Sequence, residues 1–393
     1  MALESVVLTG QVSPADVAHL LDGEDARWAA DTVGYRGIPV SSLASALVEA
    51  GMRVEAVTTA QEVDAPRVAE GPSFRLLVAP MRSRARDRAA DMFRRERRHL
   101  SALLGQTDGP IVHANWTYEF AWAALGDGRP VVVTAHDAPL TILRHHRDVY
   151  RGVRTAMAYI VRARARHMTA VSPYLAARWK REMLYWGDVR VIPNITPRLP
   201  RVARNGNSRT PLVVDVSDAG PRKNVGALLS AVHQLRSSGR DVELALAGSG
   251  LGPDGPLAQS AQGSADEGVR WMGLLTRPEL AALYQDTTVF VHTSREESFG
   301  LSVIEAMSCG LPVIGGDRSG AIPWLLENGR AGMLVDVEEP KSVSDAIAAV
   351  LDDRELAARL GARARERATE FSPARVAEAY IDEYERVGKA ARA

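Results

Sequence analysis

The chain has 393 residues and no formal net charge, and 46% of its residues are hydrophobic, as in a globular protein large enough for two domains. Zero net charge, with no aromatic residues interleaved among the basic ones, argues against nucleic-acid binding. The single cysteine, Cys309, excludes an intrachain disulfide. No apolar run approaches the roughly 20 residues that span a bilayer, and the N-terminal run is too short for a signal peptide. These features predict a cytoplasmic protein.

In the first half of the chain, short runs rich in Val and Ile alternate with longer helical patterns. This alternation predicts βαβ units and a parallel sheet. The predicted strands are Val6–Leu8, Val54–Thr58, Leu76–Val78, Ile111–His113, Val131–Thr134, Met168–Val171 and Val189–Ile192. Helices between them are predicted at Val40–Ala50 and Tyr174–Arg181.

A second α/β series follows a segment from Pro197 to Pro211 that is rich in Pro, Arg, Asn and Ser and has no apolar period. Its predicted strands are Leu212–Val216, Glu243–Ala247, Val269–Met272, Val289–Val291, Pro312–Ile314 and Met333–Val335. Its predicted helices are Val225–Leu235, Glu279–Tyr284, Leu301–Ser308, Val343–Leu351 and Glu355–Glu370. A last helix is predicted to begin at Ser372-Pro373, with proline in its first turn.

The predicted fold class is therefore α/β, with two Rossmann-like doubly wound domains that face each other across a cleft. We expect a first domain over residues 1–198, a linker over 199–211, a second domain over 212–372 and a final helix over 373–393. Ligands of such sheets bind at the carboxyl ends of the strands, so the cleft is the expected site.

The most informative motif carries two carboxylates, Glu297 and Glu305, on either side of a glycine-bearing turn that opens into a helix. Backbone N–H groups at a helix start suit a phosphate, and carboxylates accept hydrogen bonds from sugar hydroxyls. The motif therefore predicts a nucleotide-sugar site. The alternative is an ordinary capped helix with solvated acids.

Three further segments carry features that suit an anion. Gly248-Ser249-Gly250 follows a predicted strand, where glycine allows a ligand to approach the backbone closely. Arg222 and Lys223 offer a planar fork and a compact point charge to a diphosphate. The loop from Gly34 to Gly37 opens a helix. The alternative interpretations of these three segments are, in the same order, a plain turn, a solvated loop and a helix-entry turn.

Polar side chains also follow two strands of the first series. Ile111–His113 is followed by Asn115 and Trp116, and Val131–Thr134 is followed by His136 and Asp137. Strand ends are where open sheets place ligand contacts, although a lone histidine there is more often structural. No cluster of His, Cys and Asp has the spacing of metal ligands, so no metal is predicted.

A basic run from Arg82 to Arg98 contains eight arginines and three acids, and a second group comprises Arg162, Arg164 and Arg166. The run predicts weak peripheral contact with an anionic membrane. A solvated helix face is the competing interpretation.

Taken together, these motifs resemble the family-4 retaining glycosyltransferases, which have the two-domain GT-B architecture. The resemblance extends from the Gly34–Gly37 loop to the last helix and is most specific from Glu297 to Ile314. It implies that the first domain binds the acceptor, that the second binds the nucleotide sugar, and that the last helix packs back on the first domain.

The resemblance also implies individual roles. Glu305 would hold the donor ribose and Glu297 the transferred sugar, while Arg222 and Lys223 neutralise the leaving diphosphate and His136 contacts the sugar near the reacting carbon. The implied catalytic residues are His136, Glu297 and Lys223. The implied donor-binding residues are Arg222, Lys223, Gly248, Ser249, Gly250, Glu297, Ser298, Phe299, Gly300, Leu301, Glu305 and Gly37. The acceptor residues are predicted as His113, Asn115, Trp116 and Asp137.

The implied activity is retaining, metal-independent transfer of a hexose or amino-hexose from a nucleoside diphosphate sugar, with a UDP-sugar favoured, to a hydroxyl of a small-molecule or lipid-linked acceptor. No cofactor is expected. The family usually has an arginine where this chain has Ser217, and Arg222 is its predicted substitute. This departure keeps two alternatives open, a sugar-nucleotide epimerase and a non-catalytic nucleotide-sugar-binding protein. The stretch from Gln11 to Val33 resembles an insertion and is predicted to line the acceptor site.

Overall fold

The computed structural model describes residues 3–35, 37–200, 210–260 and 268–392. The chain forms two compact units, Met1–Ile195 with Ser372–Ala393, and Thr196–Phe371. It therefore passes between the units after Ile195 and again after Phe371, whereas the sequence predicts these points at residues 198 and 372. Most of the predicted linker, residues 199–211, lies outside the described residues.

The first unit contains one eight-stranded sheet. Its strands are β1 Ser5–Thr9, β2 Arg53–Ala60, β3 Arg67–Glu70, β4 Phe74–Pro80, β5 Val112–Asn115, β6 Val131–Ala135, β7 His167–Ala170 and β8 Val189–Val191. They lie in the order β3-β4-β2-β1-β5-β6-β7-β8, and all neighbours are parallel except β3 and β4. Strand β3 was not predicted, because only the two central residues of this four-residue edge strand are apolar and they form no longer run.

Helices follow most strands of this sheet. They are α1 Pro14–Val17, α2 Gly23–Ala30, α3 Ile38–Glu49, α4 Ala85–Ala90, α5 Arg94–Leu104, α6 Glu119–Ala124, α7 Pro139–His145, α8 Val149–Arg164 and α9 Pro173–Glu182. The insertion-like stretch thus folds into α1 and α2, joined by the 3-10 turn Ala18–Leu20. Val17 and Ala29 of these helices are buried in the core beneath α3, so the stretch contributes to packing.

The second unit contains a fully parallel six-stranded sheet. Its strands are β9 Leu212–Val216, β10 Glu243–Ala247, β11 Val269–Gly273, β12 Val289–His292, β13 Val313–Gly316 and β14 Met333–Val335. Its helices are α10 Val225–Ser237, α11 Pro256–Ser260, α12 Arg277–Asp286, α13 Leu301–Ser308, α14 Ile322–Leu325, α15 Pro340–Asp352 and α16 Arg354–Ala368. The predicted α/β class, with a doubly wound sheet in each unit, is confirmed.

The last helix, α17 Pro373–Arg392, belongs to the first unit. Tyr380 and Tyr384 lie in the core of this unit, and the Tyr384 hydroxyl is 2.7 Å from Nδ1 of His113 on β5. Glu383 is fully buried and pairs with Arg190 on β8. The helix is therefore held to the first sheet by apolar, hydrogen-bonded and ionic contacts together.

The strand orders place a switch point in each sheet, where consecutive connections run to opposite sides. In the first unit it lies between β1 and β5, and in the second between β9 and β12. Ligands of open α/β sheets bind beyond the carboxyl ends of strands at such points. A ligand site is therefore expected at these two edges. Across the described ranges, no helix has both the length and the apolar composition that a membrane span requires.

Candidate functional site at the carboxyl edges of the two sheets

In the second unit, the loops after β9 and β12 bring a carboxylate and two cations together. Glu297 is only 8% exposed, and its Oε1 accepts hydrogen bonds from Nζ of Lys223 and, at 3.0 Å, from Nε2 of His292. A guanidinium nitrogen of Arg222 lies 3.8 Å from Oε2 of Glu297. The structure therefore brings the predicted site residues Arg222 and Lys223 together with Glu297, which follows them by more than 70 positions in the chain.

Backbone contacts hold these loops against each other. The 3-10 turn Pro221–Lys223 ends at Asn224, which has a φ of +53° and donates from its side chain to the Val337 carbonyl at 2.8 Å. The Arg222 carbonyl accepts from the backbone N–H of Arg295 at 2.8 Å. The positions of Arg222 and Lys223 are thus set by the β12 loop as well as by their own turn.

The electrostatics of the cluster favour an ionised Glu297. Burial alone raises the pKa of this carboxyl, but the charge of Lys223, the hydrogen bond from His292 and the charge of Arg222 together hold it well below its usual value. Such a site presents fixed positive charge beside a carboxylate that can accept a hydrogen bond. That combination suits a ligand with both phosphate and hydroxyl groups.

The second acid of the motif lies on α13. Glu305 is 5% exposed; its Oε1 accepts from Arg277 at 2.6 Å and its Oε2 lies 3.5 Å from the Tyr284 hydroxyl. Burial raises the pKa of Glu305, although Arg277 opposes this shift. Both acids of the motif are therefore enclosed and paired, and the alternative of a helix with solvated acids is excluded.

The turn between the two acids depends on a glycine. Gly300 has a φ of +99° and precedes Leu301, the first residue of α13, and no side chain caps this helix start. Ser298 is half-buried in the turn. The Phe299 ring packs edge-on against Phe371. Of Phe299, the backbone therefore remains available to a ligand, and this is the part to which the resemblance assigns ligand binding.

The predicted glycine turn after β10 lies against the β9 loop. Gly248 has a φ of +130°, and a Cβ atom there would fall 1.7 Å from the Ser217 carbonyl oxygen, so no other residue fits. Gly250 also has a positive φ, and the Ser249 carbonyl accepts from the backbone of Ala219 at 2.9 Å. The glycines are needed to pack this turn against the loop that carries Arg222 and Lys223.

Three polar residues of this edge were missed by the sequence analysis. Asp215 and His292 lie within buried strands and bond to each other at 3.0 Å, and the Ser217 hydroxyl donates to Asp215. Glu296 is buried and accepts from Arg222 at 3.1 Å, and the Glu296 carbonyl also accepts from Arg222 at 2.7 Å. A signal was present, because a charged residue and a histidine interrupt otherwise apolar strands.

At the carboxyl edge of the first sheet, His136 contacts two other predicted residues. Its Nε2 lies 2.9 Å from Oδ1 of Asn115, and the Trp116 ring stacks on the imidazole with centroids 4.3 Å apart. Nδ2 of Asn115, Oγ1 of Thr9 and Oγ1 of Thr117 are buried without hydrogen-bond partners among the described residues. Because such orphaned atoms are costly, they indicate that water or a ligand binds at this edge.

His113, the other predicted strand-end histidine, lies in the core of the first unit instead of at the open edge. It is fully buried, with Nδ1 bonded to the Tyr384 hydroxyl and Nε2 2.7 Å from Oγ1 of Thr134. Burial lowers the pKa of His113 to about 3, so its ring is neutral near pH 7. One ring nitrogen is occupied by α17 and the other by the neighbouring strand β6, so neither is left for an acceptor.

Asp137, the last predicted acceptor residue, lines a cavity of about 190 Å³ in the first unit. Its Oδ1 accepts from the Tyr118 hydroxyl at 2.8 Å, and the Arg154 guanidinium stacks 3.8 Å above the Tyr118 ring. Tyr150, Arg151 and Thr155 complete the polar part of the lining. A cavity with a carboxylate, guanidinium groups and phenol groups suits a hydroxylated ligand.

The glycine loop before α3 is partly described. Gly37 precedes the first residue of α3, and a Cβ atom there would fall 1.5 Å from the Gln11 carbonyl oxygen. Arg36 lies outside the described residues. The close approach to Gln11 therefore accounts for the glycine at position 37 without a ligand.

The basic run is divided between internal and exposed arginines. Arg82 pairs with Glu96 and Asp91, and the Arg97 guanidinium stacks 3.8 Å above a tryptophan ring. Arg88 is buried and donates to the Ser83 carbonyl. The exposed arginines are Arg84, Arg86, Arg94, Arg95 and Arg98. Three of the eight arginines therefore stabilise α4 and α5, and the prediction of membrane contact applies to the five exposed ones.

In the part of the chain that is described, no group of three or more His, Cys, Asp or Glu side chains has the geometry to hold a metal ion. At the edge of the second sheet, Arg222 and Lys223 supply fixed positive charge beside Glu297.

Both halves of the chain match the models of known protein families. Residues 40–197 match the model of Glycosyltransferase Family 4, and residues 201–367 match that of Glycosyl transferases group 1. A D-inositol 3-phosphate glycosyltransferase of Corynebacterium glutamicum (strain R) is 33% identical over 172 residues, which are 42% of this chain and 40% of that protein. A phosphatidyl-myo-inositol mannosyltransferase of Mycolicibacterium smegmatis is 31% identical over 226 residues, covering 55% of this chain and 56% of that protein.

The chain thus matches less than two thirds of the length of either relative. Among solved structures, the sucrose-phosphate synthase of Thermosynechococcus elongatus superposes with a TM-score of 0.79 at 22% identity, covering 98% of this chain and all of that one. At this identity the similarity shows the fold alone.

Proposed function

Because this chain belongs to the family-4 glycosyltransferases, we propose that it transfers a sugar from a nucleoside diphosphate donor to a hydroxyl group of an acceptor. The observation that carries the proposal is the cluster of Lys223, Arg222 and Glu297 at the switch point of the second sheet. Departure of a diphosphate builds negative charge, and cations that are already in position stabilise it without reorganisation.

In this proposal the residues of the second unit bind the donor. Arg222 and Lys223 face the diphosphate, Glu297 accepts from a hydroxyl of the transferred sugar, and Glu305 accepts from the ribose hydroxyls. The turn at Gly300 supplies backbone N–H groups. The hexose or amino-hexose and the favoured uridine base remain predictions.

We also propose that the reaction is retaining and metal-independent. The acceptor oxygen bonds to the anomeric carbon on the face from which the carbon–oxygen bond to the diphosphate breaks, and the acceptor proton passes to the leaving phosphate oxygen. The two fixed cations support metal independence, because they supply positive charge where a metal would otherwise be needed. Proton NMR of the product reports the anomeric configuration, and activity that persists in EDTA supports metal independence.

The acceptor is assigned to the first unit. The cavity beside Asp137 and Tyr118 and the orphaned polar atoms near Asn115 support a hydroxylated acceptor, small or lipid-linked. Two relatives are named for inositol phosphate or phosphatidylinositol, both of which carry a polyhydroxylated ring. Weak membrane contact through the exposed arginines remains a prediction.

A thermal-shift panel of UDP-, GDP- and ADP-sugars tests donor binding, because a ligand that binds the folded state raises its stability by mass action. The stabilising donor is then incubated with and without polyol acceptors while released nucleoside diphosphate is measured. Acceptor-dependent release supports transfer. Isomerisation without acceptor favours the epimerase, binding without turnover favours the non-catalytic protein, and no shift with any donor contradicts all three.

His136→Ala is expected to lower the turnover number by about a hundredfold, within the usual range for a group that acts on the reacting atoms. Desolvation by the surrounding protein lowers the pKa of His136 to about 3, so its imidazole is neutral at pH 7. The measurement is steady-state kinetics together with the melting temperature. His99→Ala is the control, because the His99 ring also makes one hydrogen bond, to the carbonyl of Pro80 at the end of β4, which three strands separate from β6. If H136A melts far below H99A, His136 is a core residue instead.

A further inference from the structure

His292 is the last residue of β12, at the switch point of the second sheet, and is 1% exposed. Its Nδ1 lies 3.0 Å from Oδ1 of Asp215 on β9, and its Nε2 lies 3.0 Å from Oε1 of Glu297. The ring also stacks parallel to the ring of Phe290. The imidazole is therefore held between two carboxylates from different elements, with no freedom to turn away.

Hydrogen-bond chemistry then determines the state of the ring. An ionised carboxylate only accepts, whereas a neutral imidazole donates from one nitrogen and accepts at the other. Two carboxylate partners at hydrogen-bond distance are both satisfied only when both nitrogens of His292 carry protons. The geometry consequently requires an imidazolium between Asp215 and Glu297.

The charged groups around this ring alternate in sign. Asp215 is its anionic partner on β9 and also accepts from the Ser217 hydroxyl. On the other side, Glu297 lies between His292 and the two cations Lys223 and Arg222. On the side of Phe290 the neighbour is Tyr284 of α12, whose burial raises its pKa well above 10, so it stays neutral.

We propose that His292, anchored by Asp215, is a positioning residue for sugar transfer: it fixes the carboxylate of Glu297 and thereby the ammonium of Lys223. This inference rests on the proposed function and extends it to two residues that do not themselves touch the substrate. With His292 as a second donor to Oε1, Glu297 keeps its orientation, and the ammonium of Lys223 stays in position for the charge that develops on the leaving diphosphate. Without His292, Lys223 would be the only hydrogen-bond donor to Glu297 Oε1 among the described residues, and the orientation of both groups would depend on that one contact.

The variant that tests the proposal is His292→Gln, which carries no charge and whose two N–H donors share one amide nitrogen, so the amide oxygen has no proton for the second carboxylate. We expect kcat to fall about tenfold while the donor dissociation constant changes less than about threefold, as for a lost charge-assisted hydrogen bond that acts in the reaction rather than in binding. His233→Gln is the matched control, because His233 is exposed on α10 of the same unit.

The pH profile distinguishes positioning from simple packing. Burial disfavours the charged ring, but the hydrogen bonds to Asp215 and Glu297 outweigh it and raise the pKa of His292 above 6.5. The imidazolium is thus present below this raised pKa and is lost as the pH rises through it. We expect kcat of the wild type to show this alkaline decline, and H292Q to lack it.

A readout without turnover tests the same pair. Two-bond ¹H–¹⁵N NMR at pH 7 should show a ring with both nitrogens protonated that disappears in H292Q and persists in H233Q. If H292Q does not fold, Asp215→Asn replaces it and should shift both the ring titration and the alkaline decline of kcat to lower pH.

A neutral His292 ring at pH 7 would overturn the inference. So would H292Q with wild-type kcat and pH profile, or D215N with an unmoved titration. A protein that turns over no donor sugar but shows the doubly protonated ring would contradict the proposed function and leave the buried ion pair established.

Discussion

Replacing Lys223 by alanine is expected to lower kcat for sugar transfer by a factor on the order of 100 to 1,000, the usual loss when one preorganised electrostatic contact to a developing charge is removed. The ammonium of Lys223 bonds to Glu297 and lies beside Arg222, so its removal takes away half of the positive charge assigned to the leaving diphosphate. Steady-state release of nucleoside diphosphate, measured at saturating donor, checks the effect.

Lys341→Ala is the matched control. Lys341 is largely exposed on α15 and, among the residues that the structure describes, pairs only with Asp345, one turn along the same helix, so its loss should leave kcat unchanged. Glu297 keeps His292 as a partner in the K223A variant, and we therefore expect that variant to fold. Transfer at the wild-type rate by K223A would remove Lys223 from the catalytic site and with it the main support for the proposed function.

The second large effect is expected for Glu305→Gln, which should weaken donor binding about 10- to 100-fold, the range for a lost hydrogen bond to a charged group. Glutamine preserves the size of the side chain in its enclosed position on α13 but provides neither the charge nor the second acceptor oxygen. Isothermal titration with the donor measures the dissociation constant directly.

The pH dependence gives a second test of Glu305. Burial raises the pKa of this carboxyl, so it loses its charge at a higher pH than an ordinary glutamate. Donor affinity of the wild type should fall as the pH drops through that value, and the affinity of E305Q should not. Glu355→Gln, on the exposed side of α16, is the control. An unchanged dissociation constant in E305Q would exclude Glu305 from the donor site.

Most strands were predictable because each sheet is built from buried apolar runs. The strands Leu212–Val216, Glu243–Ala247 and Met333–Val335 have the predicted bounds, and the other predicted strands differ by one or two residues at one or both ends. Parallel strands buried on both faces are apolar throughout, and this makes them visible in a sequence. The edge strand Arg67–Glu70 pairs antiparallel and is partly exposed, so it has no comparable pattern.

The candidate site was predictable in part, for a related reason. Glu297 and Lys223 are recognised from short local motifs, and the structure brings them into contact. His113 follows the same kind of motif as His136, yet α17 covers it, because Tyr384, 271 positions later, occupies one of its ring nitrogens. Nothing near His113 in the sequence distinguishes a covered histidine from an open one.

The amino-acid sequence by itself determined the α/β class, the order of strands and helices, and the residue types at the strand ends, because these depend on local periodicity and turn chemistry. The tertiary structure decided which of those side chains meet. The imidazole between Asp215 and Glu297, the enclosed Glu305 and the internal arginines near α4 depend on contacts between distant segments. A charged side chain gains its partner only when folding brings the two within hydrogen-bond distance. Burial then determines how strongly the two groups interact and how far their pKa values shift.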